Sequence, residues 1–279
     1  MKTIKLNDGH LMPVIGFGTW QTPDGKVAYE SVKNALDAGY THIDTAFVYG
    51  NEKSVGKAIK DSKVARSDIF LTTKLWNTHH SYELAKEAIA TSLKNLDTDY
   101  LDLYLIHWPN PVNMRDSWEK GNAEAWRAME EAKEAGLIRS IGISNFHPHH
   151  IDALLKTAVV RPAVNQVYAS PSDPQTEIKD YNSKFNIVTQ AYSPLGTGTI
   201  LDNDVLKDIA QRNNKTVAQV AIRWSIQKGY VPLPKSVTKS RIYENIDVFD
   251  FELSDNDMAL IDTLRGIGKE GLDPDNLDF

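Results

Sequence analysis

Eight times along this chain a short, largely apolar run precedes a stretch with helical spacing, and that alternation limits the available folds more than any other feature. The runs are Ile15-Gly16-Phe17-Gly18, His42-Ile43, Ile69 to Lys74, Leu101 to His107, Arg139 to Ser144, Ala163 to Val167, Ile187 to Ala191 and Tyr230 to Pro234. In the first half the helical patterns lie near 27–38, 52–61, 81–95 and 118–135. Strands this apolar belong in a parallel sheet covered by helices. Eight such units in about 250 residues are the measure of a (β/α)8 TIM barrel.

The ends of the chain add to the barrel. Thr3, Ile4 and Leu6 alternate with lysines, Asn7-Asp8-Gly9 supplies a turn, and Leu11 to Ile15 runs back, which predicts an N-terminal β-hairpin. Val217, Val220, Ala221 and Trp224 repeat at helical spacing behind a Thr216/Gln219 capping box. Ser254 caps an extra helix near the C-terminus. No Pro/Gly/Ser-rich linker or charge block splits the chain, so residues 1–279 are expected to form a single domain. The competing architecture, a doubly wound open sheet, needs a glycine fingerprint after its first strand, and Gly16-Phe17-Gly18-Thr19-Trp20-Gln21 lacks the third glycine. Gly266-Ile267-Gly268-Lys269-Glu270-Gly271 fits that fingerprint but follows a helix and leads into Asp273-Pro274, the wrong setting for phosphate binding.

A net charge of −6 argues against a nucleic-acid or anionic-membrane surface. With no cysteine there is no disulfide, thiolate nucleophile or cysteine metal site, and no apolar run approaches the ~18 residues of a membrane helix. A cytoplasmic location is therefore expected. His79-His80 and His147-Pro148-His149-His150 have no carboxylate at useful spacing, so no metal is expected.

In a barrel, function sits where the strands end. The residues there are Gly18-Thr19-Trp20, Asp44 with Tyr49, Lys74, His107, Ser144-Asn145, Gln166, Tyr192-Ser193 and Lys235-Ser236. Strand ends are often polar because they meet solvent, but Asp, Tyr, Lys and His in consecutive loops suit one chemistry: delivering a proton to an oxygen while hydride reaches the adjacent carbon. A phenol is too weak an acid for this at neutral pH, and a nearby ammonium lowers its pKa. Lys74 is expected to do so for Tyr49, with Asp44 holding Lys74 and His107 orienting the carbonyl. None of the four donates hydride, so a cofactor is required.

These motifs resemble those of the aldo-keto reductases. The likeness rests on Gly39-Tyr40-Thr41-His42-Ile43-Asp44-Thr45-Ala46 with Tyr49-Gly50-Asn51-Glu52, Thr73-Lys74-Leu75-Trp76, Leu105-Ile106-His107-Trp108-Pro109, Ile141-Gly142-Ile143-Ser144-Asn145-Phe146, and Leu233-Pro234-Lys235-Ser236 followed by Arg241 and Glu244-Asn245. The resemblance implies a catalytic tetrad of Asp44, Tyr49, Lys74 and His107, with Tyr49 as the acid/base. It also implies NADPH bound without a Rossmann motif. Ser144, Asn145 and Gln166 would hold the carboxamide, Tyr192 would stack on the nicotinamide, and Ser193, Leu195 and Gly196 would line the pyrophosphate. Lys235, Ser236, Val237 and Arg241 would surround the 2′-phosphate, with Glu244 and Asn245 at the adenine. Two cations and a hydroxyl suit a phosphate dianion, so NADPH should be preferred to NADH.

Trp20, Tyr49, Trp76, His107 and Trp108 are expected to line the substrate pocket. The bacterial 2,5-diketo-D-gluconate reductases are the nearest likeness, which suggests keto sugars, keto esters, glyoxals and simple aldehydes, handled by a monomer. The loop from Trp108 to Ser117 and the tail after Arg265 are short, which implies an open mouth. Two departures stand out. Thr41 replaces a frequent arginine, and Gln166-Val167-Tyr168-Ala169-Ser170-Pro171 puts Ser170 where the family usually has histidine. Two other readings are an NADPH-binding regulatory protein without turnover and a hydrolase with paired carboxylates; the second must explain a lysine, not an acid, beside Asp44.

Overall fold

The computed structural model describes residues 2–279. Strands β1 (Thr3–Lys5) and β2 (Leu11–Pro13) form the antiparallel hairpin, with Ile4 opposite Met12. The eight that follow are β3 (Phe17–Gly18), β4 (His42–Asp44), β5 (Phe70–Leu75), β6 (Leu101–Ile106), β7 (Ile138–Ser144), β8 (Val164–Tyr168), β9 (Val188–Tyr192) and β10 (Val231–Leu233). They lie in chain order in one parallel sheet. The sheet closes into the barrel because Gly16 N–H donates to Pro232 O at 3.0 Å and Gly18 N–H to Pro234 O at 3.1 Å. This seam needs glycine: a Cβ on Gly16 would lie 2.6 Å from the Leu233 side chain and 2.7 Å from that of His42.

The helices are α1 (Lys26–Asp37), α2 (Glu52–Lys60), α3 (Tyr82–Leu96), α4 (Trp118–Glu134), α5 (Pro148–Leu155), α6 (Thr176–Lys184), α7 (Asp204–Asn213), α8 (Val217–Gln227), α9 (Lys239–Ile246) and α10 (Asp255–Asp262). Two of them, α7 and α8, separate β9 from β10, where the sequence reading anticipated the second alone. Its box is formed: Gln219 N–H donates to Thr216 Oγ1 at 3.3 Å and Thr216 N–H to Gln219 Oε1 at 3.0 Å. Ser254 Oγ accepts from Asp257 N–H at 3.1 Å to start α10.

Period-two alternation along the strands divides their side chains between the barrel interior and the layer under the helices. Leu71 and Leu75 of β5, Tyr104 and Ile106 of β6, and Ile141 and Ile143 of β7 pack outward in one cluster with helix residues such as Ala88, Trp126 and Met129. Phe70, Leu103, Leu105, Val164 and Val231 point inward and meet Leu6 and Met12 of the hairpin segment. That apolar plug fills the barrel's lower end. The same alternation carries Thr72 and Lys74 inward and upward from Phe70, and places Asp44, His107 and Gln166 at the opposite mouth.

The mouth is not left open as the short tail suggests. Residues 266–279 cross it without regular structure. Tyr168 Oη donates to Lys269 O at 2.6 Å, Gly271 N–H to Asp173 Oδ2 at 2.9 Å, and Asn110 Nδ2 to Asp275 Oδ1 at 2.8 Å. Arg115 donates to the carbonyls of Asp275 and Leu277. The Phe279 ring then stacks on Trp76 at 6.0 Å and meets Trp108 edge-on at 5.6 Å. Side chains far away in sequence hold this segment, so it carries no periodicity of its own to betray its course.

Candidate active site

Lys74 is wholly buried in the barrel, and its ammonium has three neighbours: Asp44 Oδ1 at 2.6 Å, Thr45 O at 2.9 Å and Tyr49 Oη at 3.5 Å. Asp44 ends β4, and the short 3-10 turn Phe47–Tyr49 brings the phenol back over it. Gly50, at φ 69°, ends that turn in a left-handed conformation that glycine adopts freely. Asn51 ties the loop down: its Oδ1 accepts from Thr45 Oγ1 at 2.9 Å, while its Nδ2 donates to Thr19 O and Thr22 O, each at 3.0 Å. The loop bearing Trp20 is thereby fixed to the loop bearing Asp44. His107, just past β6, meets the Tyr49 ring at 5.9 Å and the Trp76 ring at 5.2 Å.

Burial is the largest influence on all three titrating neighbours. It pushes the Lys74 ammonium below its ordinary value even though Asp44 pulls the other way. It holds His107 well below the usual imidazole range, helped by the Lys74 charge, so the ring is neutral. The Tyr49 phenol is pushed up, first by burial and then by repulsion from Asp44. Lys74, 2.6 Å from Asp44 and 3.5 Å from Tyr49 Oη, does not reverse that direction. Tyr49 is thus a neutral phenol with its proton in place.

These groups open on a cavity of about 970 Å³. All five residues expected at the substrate lie on its wall: Trp20, Tyr49, Trp76, His107 and Trp108. So do Asp44, Ser144, Asn145, Gln166, Tyr192, Ser193 and Leu195, and, towards one end, Lys235, Ser236, Arg241, Glu244 and Asn245. Lys74 lies beneath the wall. Gly196 and Val237 are not on it: Gly196 turns the chain at φ 59°, and Val237 is exposed. The sequence reading missed Lys269, Glu270, Leu272 and Phe279, which the tail brings to the wall, and Tyr168, whose only signal was the departure in its segment.

The polar wall residues differ in how much capacity they retain. Ser144 Oγ donates to Gln166 O at 2.8 Å, and Asn145 Nδ2 donates to His107 O at 3.0 Å and Ser144 Oγ at 3.1 Å. Asn145 Oδ1 accepts from Tyr192 Oη at 2.9 Å. Gln166 Nε2 donates to Asp44 Oδ2 at 2.8 Å and to Gln190 Oε1 at 2.9 Å, whereas its Oε1 accepts from no group among the described residues. At the other end Lys235 Nζ donates to Gln21 O at 3.0 Å, and burial lowers its pKa. Arg241 is exposed and has no acidic partner within ion-pair distance among the described residues. A free amide oxygen near Asp44 and Tyr49 and spare cations at the far end fit a dinucleotide with an amide at one end and a phosphate dianion at the other.

The expectation that the histidine run lacks a carboxylate is also corrected, because the tail supplies Asp275. His149 Nε2 lies 3.1 Å from Asp275 Oδ2 and His150 Nε2 2.9 Å from Oδ1. His150 Nδ1 accepts from His147 N–H at 3.1 Å, so its proton sits on Nε2 and points at Asp275. The ring is committed as a hydrogen-bond bridge between α5 and the tail.

The model of the aldo/keto reductase family matches residues 14–265. A glyoxal reductase of Bacillus subtilis (strain 168) is 47% identical over 277 residues, covering 99% of this chain and 98% of that protein. The methylglyoxal reductase DkgA of Escherichia coli (strain K12) is 43% identical, with 98% and 96% covered. A crystal structure of a Gox0644 mutant in complex with NADPH superposes with a TM-score of 0.92 at 40% identity, covering 100% of this chain and 99% of that one.

Proposed function

Because the chain belongs to the aldo/keto reductase family, we propose that it reduces small aldehydes and ketones, among them glyoxals, keto esters and keto sugars, to alcohols, with NADPH as reductant and Tyr49 as proton donor. It is an NADP-dependent oxidoreductase of that family. The relatives named for glyoxal and methylglyoxal reduction make 1,2-dicarbonyls the first substrates to try.

The observation that carries the reading is the buried Lys74–Asp44 pair, 2.6 Å apart, directly under a protonated Tyr49 and beside a neutral His107 on the cavity wall. NADPH supplies the hydride when bound. His107, uncharged and buried, can donate its one ring N–H to a carbonyl oxygen and so orient it. Tyr49 then gives its proton to that oxygen as negative charge develops there. The phenolate left behind faces the ammonium of Lys74, which Asp44 and Thr45 O keep in position. The tryptophans and Phe279 exclude water around the reacting oxygen.

At the far end, Lys235, Ser236 and Arg241 are proposed to take the 2′-phosphate, with Glu244 and Asn245 near the adenine. Ser144, Asn145 and Gln166 are proposed for the carboxamide, Tyr192 for the ring, and Ser193 and Leu195 for the pyrophosphate. The deciding experiment follows NADPH absorbance with methylglyoxal, a keto ester and an aldose offered in turn. Carbonyl-dependent oxidation of NADPH is expected, and tight binding without any turnover would favour a regulatory role instead.

A further inference from the structure

Gln190 lies in β9, fully buried one layer below Tyr192, and is not on the cavity wall. Its position between two other side chains nevertheless defines an orientation. Gln190 Nε2 donates to Met12 Sδ at 3.1 Å, and a thioether can only accept. The amide oxygen of Gln190 is therefore turned away from the hairpin and accepts from Gln166 Nε2 at 2.9 Å. The second hydrogen of Gln166 Nε2 goes to Asp44 Oδ2 at 2.8 Å.

With both hydrogens used, the polarity and the plane of the Gln166 amide are set together. Reversing it would press its oxygen against the Asp44 carboxylate and the Gln190 carbonyl, three acceptors without a proton between them. A single bond to Asp44 would fix the polarity but leave rotation about that bond. The bond to Gln190 removes the rotation and leaves Gln166 Oε1 free at the cavity wall.

We infer that Gln190 is a positioning residue for the cofactor: it locks the Gln166 amide so that its oxygen is presented to an amide N–H donor, the carboxamide of the nicotinamide. This rests on the proposed reading in which Gln166 meets that carboxamide. It also extends the reach of Asp44, whose two oxygens hold the Lys74 ammonium and the cofactor-facing amide at once. The chain of contacts runs from Met12 at the plugged end of the barrel to the mouth, which explains a buried glutamine pair where the surrounding strand residues would permit apolar ones.

The test compares equilibrium binding of NADPH with that of its 3-acetylpyridine analogue, in which a methyl group replaces the carboxamide NH₂. Tryptophan fluorescence quenching reads both dissociation constants. The wild-type protein should prefer NADPH by about two- to tenfold, the worth of one hydrogen bond. Gln190→Leu should remove most of that preference by weakening NADPH alone, while Gln190→Glu, which keeps an oxygen at the same reach, should retain more of it. Equal weakening of both dinucleotides by Gln190→Leu, or no weakening of either, would overturn the inference, and matching thermal melts of wild type and variants separate the effect from misfolding. A wild-type protein that binds both forms equally would instead discard the carboxamide reading of Gln166 itself, before any variant is made.

Discussion

Lys74 and Asp44 form an ion pair 2.6 Å long with both side chains almost completely withdrawn from solvent. Removing two charges from water costs several kcal/mol per ion before their attraction is counted, and a surface pair at the same distance would be nearly neutral in its effect. The pair survives because each remaining valence is filled: Nζ by Thr45 O, and Oδ2 by Gln166 Nε2.

The first prediction concerns stability. Lys74→Met leaves the Asp44 carboxylate buried without its ammonium and should destabilise the fold by about 3–5 kcal/mol. Combining it with Asp44→Asn removes the stranded charge, so the double variant should be more stable than the single one. Urea unfolding of the wild type, both single variants and the double variant measures the coupling; strictly additive losses would mean that the two side chains do not act as a pair.

Tyr49→Phe keeps the ring against His107 and deletes only the hydroxyl. Turnover should fall by about 10²–10⁴-fold, the usual range for a lost general acid, while NADPH binding changes little. Steady-state rates beside a fluorescence titration give both quantities. Turnover at the wild-type rate would remove the phenol from the mechanism.

Arg241 is an exposed cation with no acidic partner among the described residues, in a chain of net charge −6. If it meets the 2′-phosphate, Arg241→Ala should weaken NADPH by about ten- to a hundredfold, as expected for a charge-assisted hydrogen bond. NADH, which lacks that phosphate, should be almost unaffected. Equal loss for the two dinucleotides would assign Arg241 to the general stability of α9.

The convergence of polar residues on the barrel mouth was legible because barrel strands write their geometry into sequence. Asp44, Lys74, His107 and Gln166 each end or nearly end an apolar run, and period-two alternation carries them to one interior. What escaped was set by contacts without local pattern. Phe279 reaches Trp76 only because Asn110, Arg115 and His150 hold the tail, and none of these is marked as an anchor by its neighbours in sequence. The rise in the Tyr49 pKa was equally hidden, since it depends first on burial and then on the charge of Asp44, neither of which local sequence shows. Gln190 gave no signal because a polar residue in an apolar strand reads the same whether it faces the core or another amide.

Acid should unfold the protein early. Burial holds His80 and His150 at about 4 and His42 at about 3, against an ordinary value of 6.5, and keeps His107 well down too. Between those folded values and 6.5 the unfolded chain binds protons that the native chain does not, so stability rises with pH across this window and is lost as pH falls from 6.5 towards 4. Each such histidine contributes up to about 1.4 kcal/mol per pH unit. Neither ring nitrogen of His80 has a partner among the described residues, so His80→Phe should lessen the slope without breaking a hydrogen bond. Urea titrations at several pH values would show it, and an unchanged slope would mean that His80 is protonated in the fold.

Phe279 should govern which carbonyls are used. Its ring stacks on Trp76 and meets Trp108, so the tail adds one more face to the aromatic wall that a substituent on the carbonyl carbon would meet. Phe279→Ala should raise KM several-fold for an aryl aldehyde, which loses apolar contact worth about 1 kcal/mol for a partly buried ring, and leave methylglyoxal nearly unchanged because it is too small to reach. Asp275→Ala removes the acceptor for Asn110, His149 and His150, so it should reproduce the pattern by releasing the tail even though Asp275 is not on the cavity wall. Kinetics of both variants with the two substrates decide the point. A parallel loss on aryl aldehyde and methylglyoxal would place the effect in the proposed catalytic or cofactor residues, and the tail would then be cover for the barrel, not a selector of substrates.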